Sequence, residues 1–261
     1  MRLPDSLLAC HVSLYGSTQD AEAGIKAGGV GFFAGVGGGA EDGYWVFVVT
    51  NRHVVEDGQC RVIRLGSTAT SAQVVETRLD EWNRSDRDDL AVLLLNPDDQ
   101  RFDGRFVTPD EFVSQEVIET HRIGTGDQVF MVSAVTLPEN RSLVSPVALF
   151  GYISTMVEIG IIRGDCHEQV SLLAEMRSVG GCSGAPVFVF IPPSEVGYRR
   201  TKVHQCGPWL LGVNWGHLTH TVKVEMKHET SSSVPQNSAI AGIVPAWRLL
   251  EFLKDTVAQV T

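Results

Sequence analysis

Short apolar runs rich in valine, isoleucine and phenylalanine recur along this chain, separated by clusters of glycine, proline, asparagine and aspartate. That punctuation favours strands over helices and predicts an all-β fold. The run at 44–49 alternates too little between apolar and polar residues for a half-exposed strand, so it reads as a buried one. Further strands are expected at 126–132, 147–153, 169–173, 187–191, 209–214 and 239–244. A polar, turn-rich stretch at 96–110 separates a first unit, residues 1–110, from a second, residues 111–261. The polar segment 220–237 contains Ser231, Ser232 and Ser233 and reads as a surface loop or hairpin. After Pro245, the residues Leu249, Leu250, Phe252, Leu253 and Val257 form an apolar stripe at helical spacing. Proline is preferred at the start of a helix, so a C-terminal helix is expected there.

Bulk properties narrow the picture. At 261 residues the chain is ample for two packed β units sharing a cleft, and its 26 glycines suit many tight turns. A formal net charge of −10 argues against nucleic acid as a partner, because phosphate binding wants a basic face. No apolar run reaches the length of a membrane span. The first residues carry Pro4 and Asp5 inside a short apolar stretch, which is not a secretory pattern. Cysteines stand at 10, 60, 166, 182 and 206, an odd count that favours free thiols in a reducing compartment and hence a cytoplasmic location.

Candidate chemistry is concentrated in three segments. Gly180-Gly181-Cys182-Ser183-Gly184-Ala185-Pro186 runs into the apolar residues 187–190, and a serine between glycines ahead of a strand suits a tight turn presenting its hydroxyl to a cleft. The apolar run 46–50 is followed by Asn51, Arg52 and His53. Asp88 and Asp89 open a third apolar run at 90–95. A hydroxyl nucleophile needs a base to take its proton, and the base needs a carboxylate to fix its tautomer. Along the chain the order is His, Asp, Ser, which separates this arrangement from those of α/β-hydrolases and subtilisins.

These segments resemble the trypsin-like, chymotrypsin-fold serine proteases of the bacterial type, the branch that includes the heat-shock (high-temperature-requirement) enzymes. Gly29-Val30-Gly31-Phe32-Phe33-Ala34-Gly35 resembles the glycine-rich strand of the first barrel. Thr50-Asn51-Arg52-His53-Val54-Val55 resembles the histidine block, and Asp89-Leu90-Ala91-Val92-Leu93 the aspartate block. The register of Asp-Leu-Ala-Val favours Asp89 over Asp88. Gly181-Cys182-Ser183-Gly184-Ala185-Pro186 resembles the nucleophile block. Leu210-Leu211-Gly212-Val213-Asn214-Trp215-Gly216 falls where the family has the strand lining the primary specificity pocket.

The resemblance implies two six-stranded antiparallel β-barrels with the active site in the cleft between them, plus a C-terminal α-helix. It implies a peptide-cleaving enzyme with Ser183 as nucleophile, His53 as base, Asp89 orienting His53, and the N–H groups of Gly181 and Ser183 as oxyanion hole. Arg177 and Ser178 would lie near the base of the primary pocket, where an arginine would prefer acidic side chains; the alternative is that Arg177 points to solvent or pairs with a nearby carboxylate. Asn214, Trp215 and Gly216 would bind substrate as an added strand. Two departures stand out: Val54 replaces the cysteine that secreted trypsins place after the histidine, and Cys182 replaces the aspartate used in zymogen activation. Cys182 reads as a small buried support of the turn. A metal site from His217, His220, His228 and Cys206 matches no zinc spacing, and no metal or cofactor is implied. The expected partners are a protein or peptide substrate and, for control, a regulatory protein, with neither nucleic acid nor membrane. A catalytically inactive binding module and an acyl-ester hydrolase using the same three residues are the alternatives. If the protein carries no disulfides, thiol titration of the denatured, non-reduced protein finds all five cysteines free; a titre of three would mean one bridge.

Overall fold

A computed structural model describes residues 3, 5–38, 43–65, 73–95, 105–134, 146–162, 168–192, 207–226 and 229–260. Its strands form two antiparallel sheets, one from each half of the chain. The first contains β1 (His11–Tyr15), β2 (Gly29–Gly37), β3 (Tyr44–Thr50), β4 (Val62–Leu65), β5 (Gln73–Glu76), β6 (Asn83–Arg84) and β7 (Ala91–Leu94). They are ordered β5-β4-β1-β2-β3-β7-β6. The second contains β8 (Gln128–Ser133), β9 (Val147–Ile162), β10 (Glu168–Met176), β11 (Pro186–Phe190), β12 (Trp209–Met226) and β13 (Glu229–Pro245), and closes as a barrel in the order β10-β13-β12-β11-β8-β9. The barrel has the six strands expected. The first sheet has seven, because the two residues of β6 also pair with β7.

Side-chain alternation explains why the central strands of the first sheet are apolar throughout. In β2, Phe32, Ala34 and Val36 point into a core shared with the barrel, whereas Phe33 points into the first sheet's own core. In β3, Phe47 and Val49 face the shared core and Val48 the private one; in β7, Val92 faces the first and Ala91 and Leu93 the second. A strand between two cores needs apolar residues at both parities. The shared core is completed by Phe130, Phe188, Leu210 and Val244 of the barrel. Each such fully buried Phe or Leu contributes about 1.5–3 kcal/mol relative to exposure.

The segment between the sheets is stapled to both. Val107 exchanges backbone bonds with β2 (Gly35 N–H to Val107 O and Val107 N–H to Phe33 O, both 2.9 Å), and Val113 N–H donates to Leu210 O of β12 (2.9 Å). Residues 96–104 of the expected linker lie outside the described residues.

Helices fill the corners: α1 (Asp5–Leu8), α2 (Thr18–Ala23), α3 (Arg52–Val55), α4 (Gln115–His121) and the expected C-terminal helix, α5 (Ala246–Val260). Serine caps start α2 and α4, where Ser17 and Ser114 accept from the N–H groups of Asp20 and Val117. Along α5, Ala246, Leu249, Leu253 and Thr256 are buried on one stripe, and the first two turns follow directly from β13. Strands β9, β12 and β13 outrun their expected bounds. β9 continues to Ile162, and the polar segment 220–237 is the distal part of the β12–β13 hairpin, of which residues 227–228 lie outside the description.

Cys10, Cys60 and Cys182 are free and buried, and Cys166 and Cys206 lie outside the described residues. Burial pushes the Cys10 thiol up to about 12, which keeps it protonated and inert. No helix among the described residues is long and apolar enough to cross a membrane.

Desolvation of the His11 imidazole lowers its pKa from 6.5 to about 4. Between those values the unfolded chain binds a proton there that the folded chain does not, so the contribution is full above pH 6.5 and is lost as pH falls towards about 4. Denaturant unfolding measured across that window is expected to show stability falling with pH, with a smaller fall in His11→Gln. An equal fall in both proteins would assign the effect to other groups.

Candidate functional site

Three segments meet where the two sheets face each other. The first is α3, a single helical turn that begins as β3 ends. Val54 and Val55 are buried beneath it, which fixes the turn against the sheet. Its N-cap residue Asn51 does not cap with its side chain; the amide instead donates to the carbonyl of Asp89 (2.8 Å).

Asp89 comes from the loop entering β7 and is 3% exposed. One carboxylate oxygen lies 2.6 Å from His53 Nδ1, and the other accepts from the His53 backbone N–H (3.0 Å). Both contacts go to one residue, so the carboxylate plane is set relative to the imidazole. Nδ1–H donating to a carboxylate leaves Nε2 as the basic nitrogen. Asp88 faces elsewhere: its carboxylate accepts from Arg248 of α5 (3.0 and 3.3 Å) and from Gln169 of β10 (3.0 Å).

Ser183 lies in two successive turns between β10 and β11. Cys182 N–H donates to Val179 O (3.1 Å) and Ala185 N–H to Cys182 O (3.1 Å). Gly181 holds φ +92° at the third position of the first turn, as a type II turn requires. Among the described residues the N–H groups of Gly181 and Ser183 have no backbone acceptor, while those of Cys182, Gly184 and Ala185 do. The turn is seated on β2, with Val30 N–H donating to Ser183 O (2.9 Å). The fit there tolerates only glycine at 184: φ is +88°, and a Cβ would collide with the Val30 carbonyl oxygen and the Thr50 hydroxyl. Val54, the neighbour of His53, and Ser183 O both border Gly29, so the turn and α3 are adjacent.

Ser183 Oγ donates to the carbonyl of Trp215 (3.4 Å), and no hydrogen bond joins it to His53 among the described residues. Trp215 lies at a break in the β12–β13 register, between the pairs Asn214↔Ile243 and Gly216↔Gly242. Its indole N–H donates to Ser171 Oγ (2.9 Å).

The other expected site residues divide. Asn214 is fully buried and turned inward: its amide donates to Cys182 O (2.8 Å), its N–H to Ala185 O (2.9 Å), and its carbonyl accepts from Gly184 N–H (2.8 Å). It therefore braces the serine turn through its amide and both of its backbone groups. Ser178 is likewise fully buried; its hydroxyl contacts Asn214 Oδ1 (3.5 Å) and its carbonyl accepts from Asn237 (2.6 Å). Arg177 is exposed. Gly216 is partly buried in β12, beside Trp215. Cys182 is fully buried behind the turn. His217 and His220 lie on β12, and His228 and Cys206 are outside the described residues. A cavity of about 630 Å³, lined in part by Glu111, Phe112, His121 and Trp209, includes none of these residues.

Sequence reading did not single out Asn51, Gln169 or Arg248. Gln169 is one of several polar residues in its strand, beside Glu168, Ser171 and Glu175, and nothing in the pattern linked it to Asp89.

By sequence, neither a family model nor a curated protein matches the chain. Solved structures do. A serine-to-alanine mutant of Rv3671c from M. tuberculosis H37Rv, in an inactive form, is similar over 96% of this chain and 89% of its own, with 15% identity and a TM-score of 0.51. Rv3671c protease in its inactive form aligns over 95% and 89%, with 15% identity and a TM-score of 0.50. A serine-to-alanine variant of the HtrA-type protease AlgW with a tripeptide aligns over 95% of this chain and 60% of its own, with 14% identity and a TM-score of 0.50. At such identities the likeness speaks for architecture: the chain has the fold of the trypsin-like serine proteases of the HtrA type.

Proposed function

We propose that the chain is a serine endopeptidase in which Ser183 attacks the peptide carbonyl, His53 takes and returns the proton, and Asp89 holds His53 in the required tautomer. The observation that carries this reading is the two-point contact of Asp89 with His53, at 2.6 and 3.0 Å, beside a glycine-flanked serine turn. A structural histidine needs one partner. This one has its Nδ1 committed to a buried carboxylate, and its Nε2 is the nitrogen a neighbouring hydroxyl would use.

In the first step His53 Nε2 removes the Ser183 proton as Oγ adds to the carbonyl carbon, giving a tetrahedral oxyanion. The N–H groups of Gly181 and Ser183, without backbone acceptors, would receive that charge, each donor supplying about 3 kcal/mol. His53 then protonates the leaving amine, and water repeats the sequence on the acyl-enzyme. Ser183 Oγ must first leave the Trp215 carbonyl, a rotation about one side-chain bond. An extended substrate would add as a strand along β12 at Trp215 and Gly216. On this reading residues 1–110 supply base and carboxylate, residues 111–261 supply the nucleophile, and a protein or peptide lies between them.

Ser183→Ala and His53→Ala are each expected to lower hydrolysis of a fluorogenic peptide pool by about 10⁴-fold or more, with little further loss in the double variant because the two act as one unit. Ser183→Ala should also abolish labelling by a fluorophosphonate probe. Peptide hydrolysis persisting in Ser183→Ala would refute the assignment; probe labelling with ester but no peptide turnover would point to an acyl-ester hydrolase.

Asp89→Asn should retain the fold and lose about 10⁴ in kcat, since His53 then adopts the wrong tautomer. Asp88→Asn should lose far less. The reverse ranking would make Asp88 the orienting carboxylate.

A further inference from the structure

We propose that Gln169 is a positioning residue for the catalytic carboxylate, and that Gln169, Asp88 and Arg248 together form a clamp through which the barrel holds Asp89. This rests on the peptidase reading above. Gln169 belongs to β10, a barrel strand, where it pairs with Ile161 of β9. Its side chain is 2% exposed and crosses to the loop of the first sheet. Oε1 accepts from the Asp89 N–H (2.6 Å), and Nε2 donates to Asp88 Oδ1 (3.0 Å) and to the carbonyl of Val170 (2.8 Å).

The chemistry of the partners fixes this amide orientation. A peptide N–H only donates and an ionised carboxylate only accepts, so a flipped amide would face donor to donor and acceptor to acceptor. Glutamate would set a second carboxylate against Asp88, and leucine would remove the oxygen that accepts from the Asp89 N–H. Residue 169 must therefore present an acceptor to one neighbour and a donor to the next.

Arg248 of α5 completes the clamp. Its guanidinium binds both oxygens of Asp88, and a second nitrogen lies 3.5 Å from Glu158 of β9. The guanidinium thus sets a positive charge against the Asp88 carboxylate, beside the buried Asp89. The Asp89 backbone is then held on both sides, its N–H by Gln169 from the barrel and its carbonyl by Asn51, the N-cap of α3. Its carboxylate in turn meets His53 at two points. The orientation of His53 thus depends on how the barrel is seated on the first sheet, although no barrel residue other than the serine turn acts on the substrate's reacting bond.

The test is Gln169→Leu in the full chain, with steady-state peptide kinetics and proton NMR of the strongly downfield His53 Nδ1–H resonance. The expected result is a kcat loss of about 10- to 100-fold at unchanged KM, the scale of a displacement near 1 Å, together with loss or upfield movement of that resonance. In an Asp89→Asn background, Gln169→Leu should cost nothing further. Gln169→Glu alone should also lose activity, and adding Asp88→Asn should recover most of it, because carboxylate and amide then exchange places. That pair keeps the test decisive if Gln169→Leu folds poorly by circular dichroism. A parental kcat and resonance in Gln169→Leu, an equal further loss in the Asp89→Asn background, or no rescue by Asp88→Asn would each overturn the clamp. If the peptidase reading itself fails, the parent shows no Ser183-dependent turnover, while the His53 resonance still reports on the clamp.

Discussion

One residue of β2, Val30, organises the site. Val30 N–H holds the carbonyl of Ser183, and Val30 O accepts from the hydroxyl of Thr50, three residues before His53. The serine turn and the end of β3 are therefore both referenced to the same residue of β2. Gly184 permits this approach, since any side chain there would occupy the space of the Val30 and Thr50 oxygens. Separate the two and Ser183 loses its position relative to α3, whatever the condition of each sheet alone.

Around that contact the interface is made twice, once from apolar and once from polar groups. The apolar part is the core shared by Phe32, Phe47, Val49, Phe188, Leu210 and Leu249. It is strong but undirected, and holds the sheets together without setting their relative rotation. The polar part is directional: Val30 to Ser183, Gln169 to Asp89 and Asp88, Arg248 to Asp88. Buried polar and ionic pairs of this kind contribute little net stability, because desolvation offsets most of their attraction. Their value here is geometric, since a misrotated interface would leave buried donors and carboxylates unmatched.

The serine turn is also braced from within the barrel. Asn214 binds Cys182, Ala185 and Gly184, and the small buried thiol of Cys182 fills the space behind the turn. Asn214 is thus a support of the serine turn, and the next residue, Trp215, meets the Ser183 hydroxyl with its carbonyl. Strand pairing alone could not distinguish these positions. A one-residue step along a strand exchanges the two faces, and the irregularity after Asn214 is set by contacts with β11 and β13.

Much was legible in the sequence because it depends on local chemistry. Glycines flanking a serine, a histidine just after an apolar strand and an aspartate just before another are constraints of short range, and so is the helical stripe after Pro245. The apolar run 44–49 announced a buried strand, and the structure supplies the reason in the two cores that β3 separates. Other features had no local signature. The choice between Asp88 and Asp89 rested on motif register alone; the tertiary structure separates them, because one carboxylate meets His53 and the other meets Arg248, which lies 160 residues away along the chain. Gln169 and Asn51 look like ordinary polar residues until the sheets are docked. Periodicity determines which elements form and which face each one buries; partners distant in sequence are chosen only when the sheets pack, because a hydrogen bond depends on position in space and hardly at all on separation along the chain.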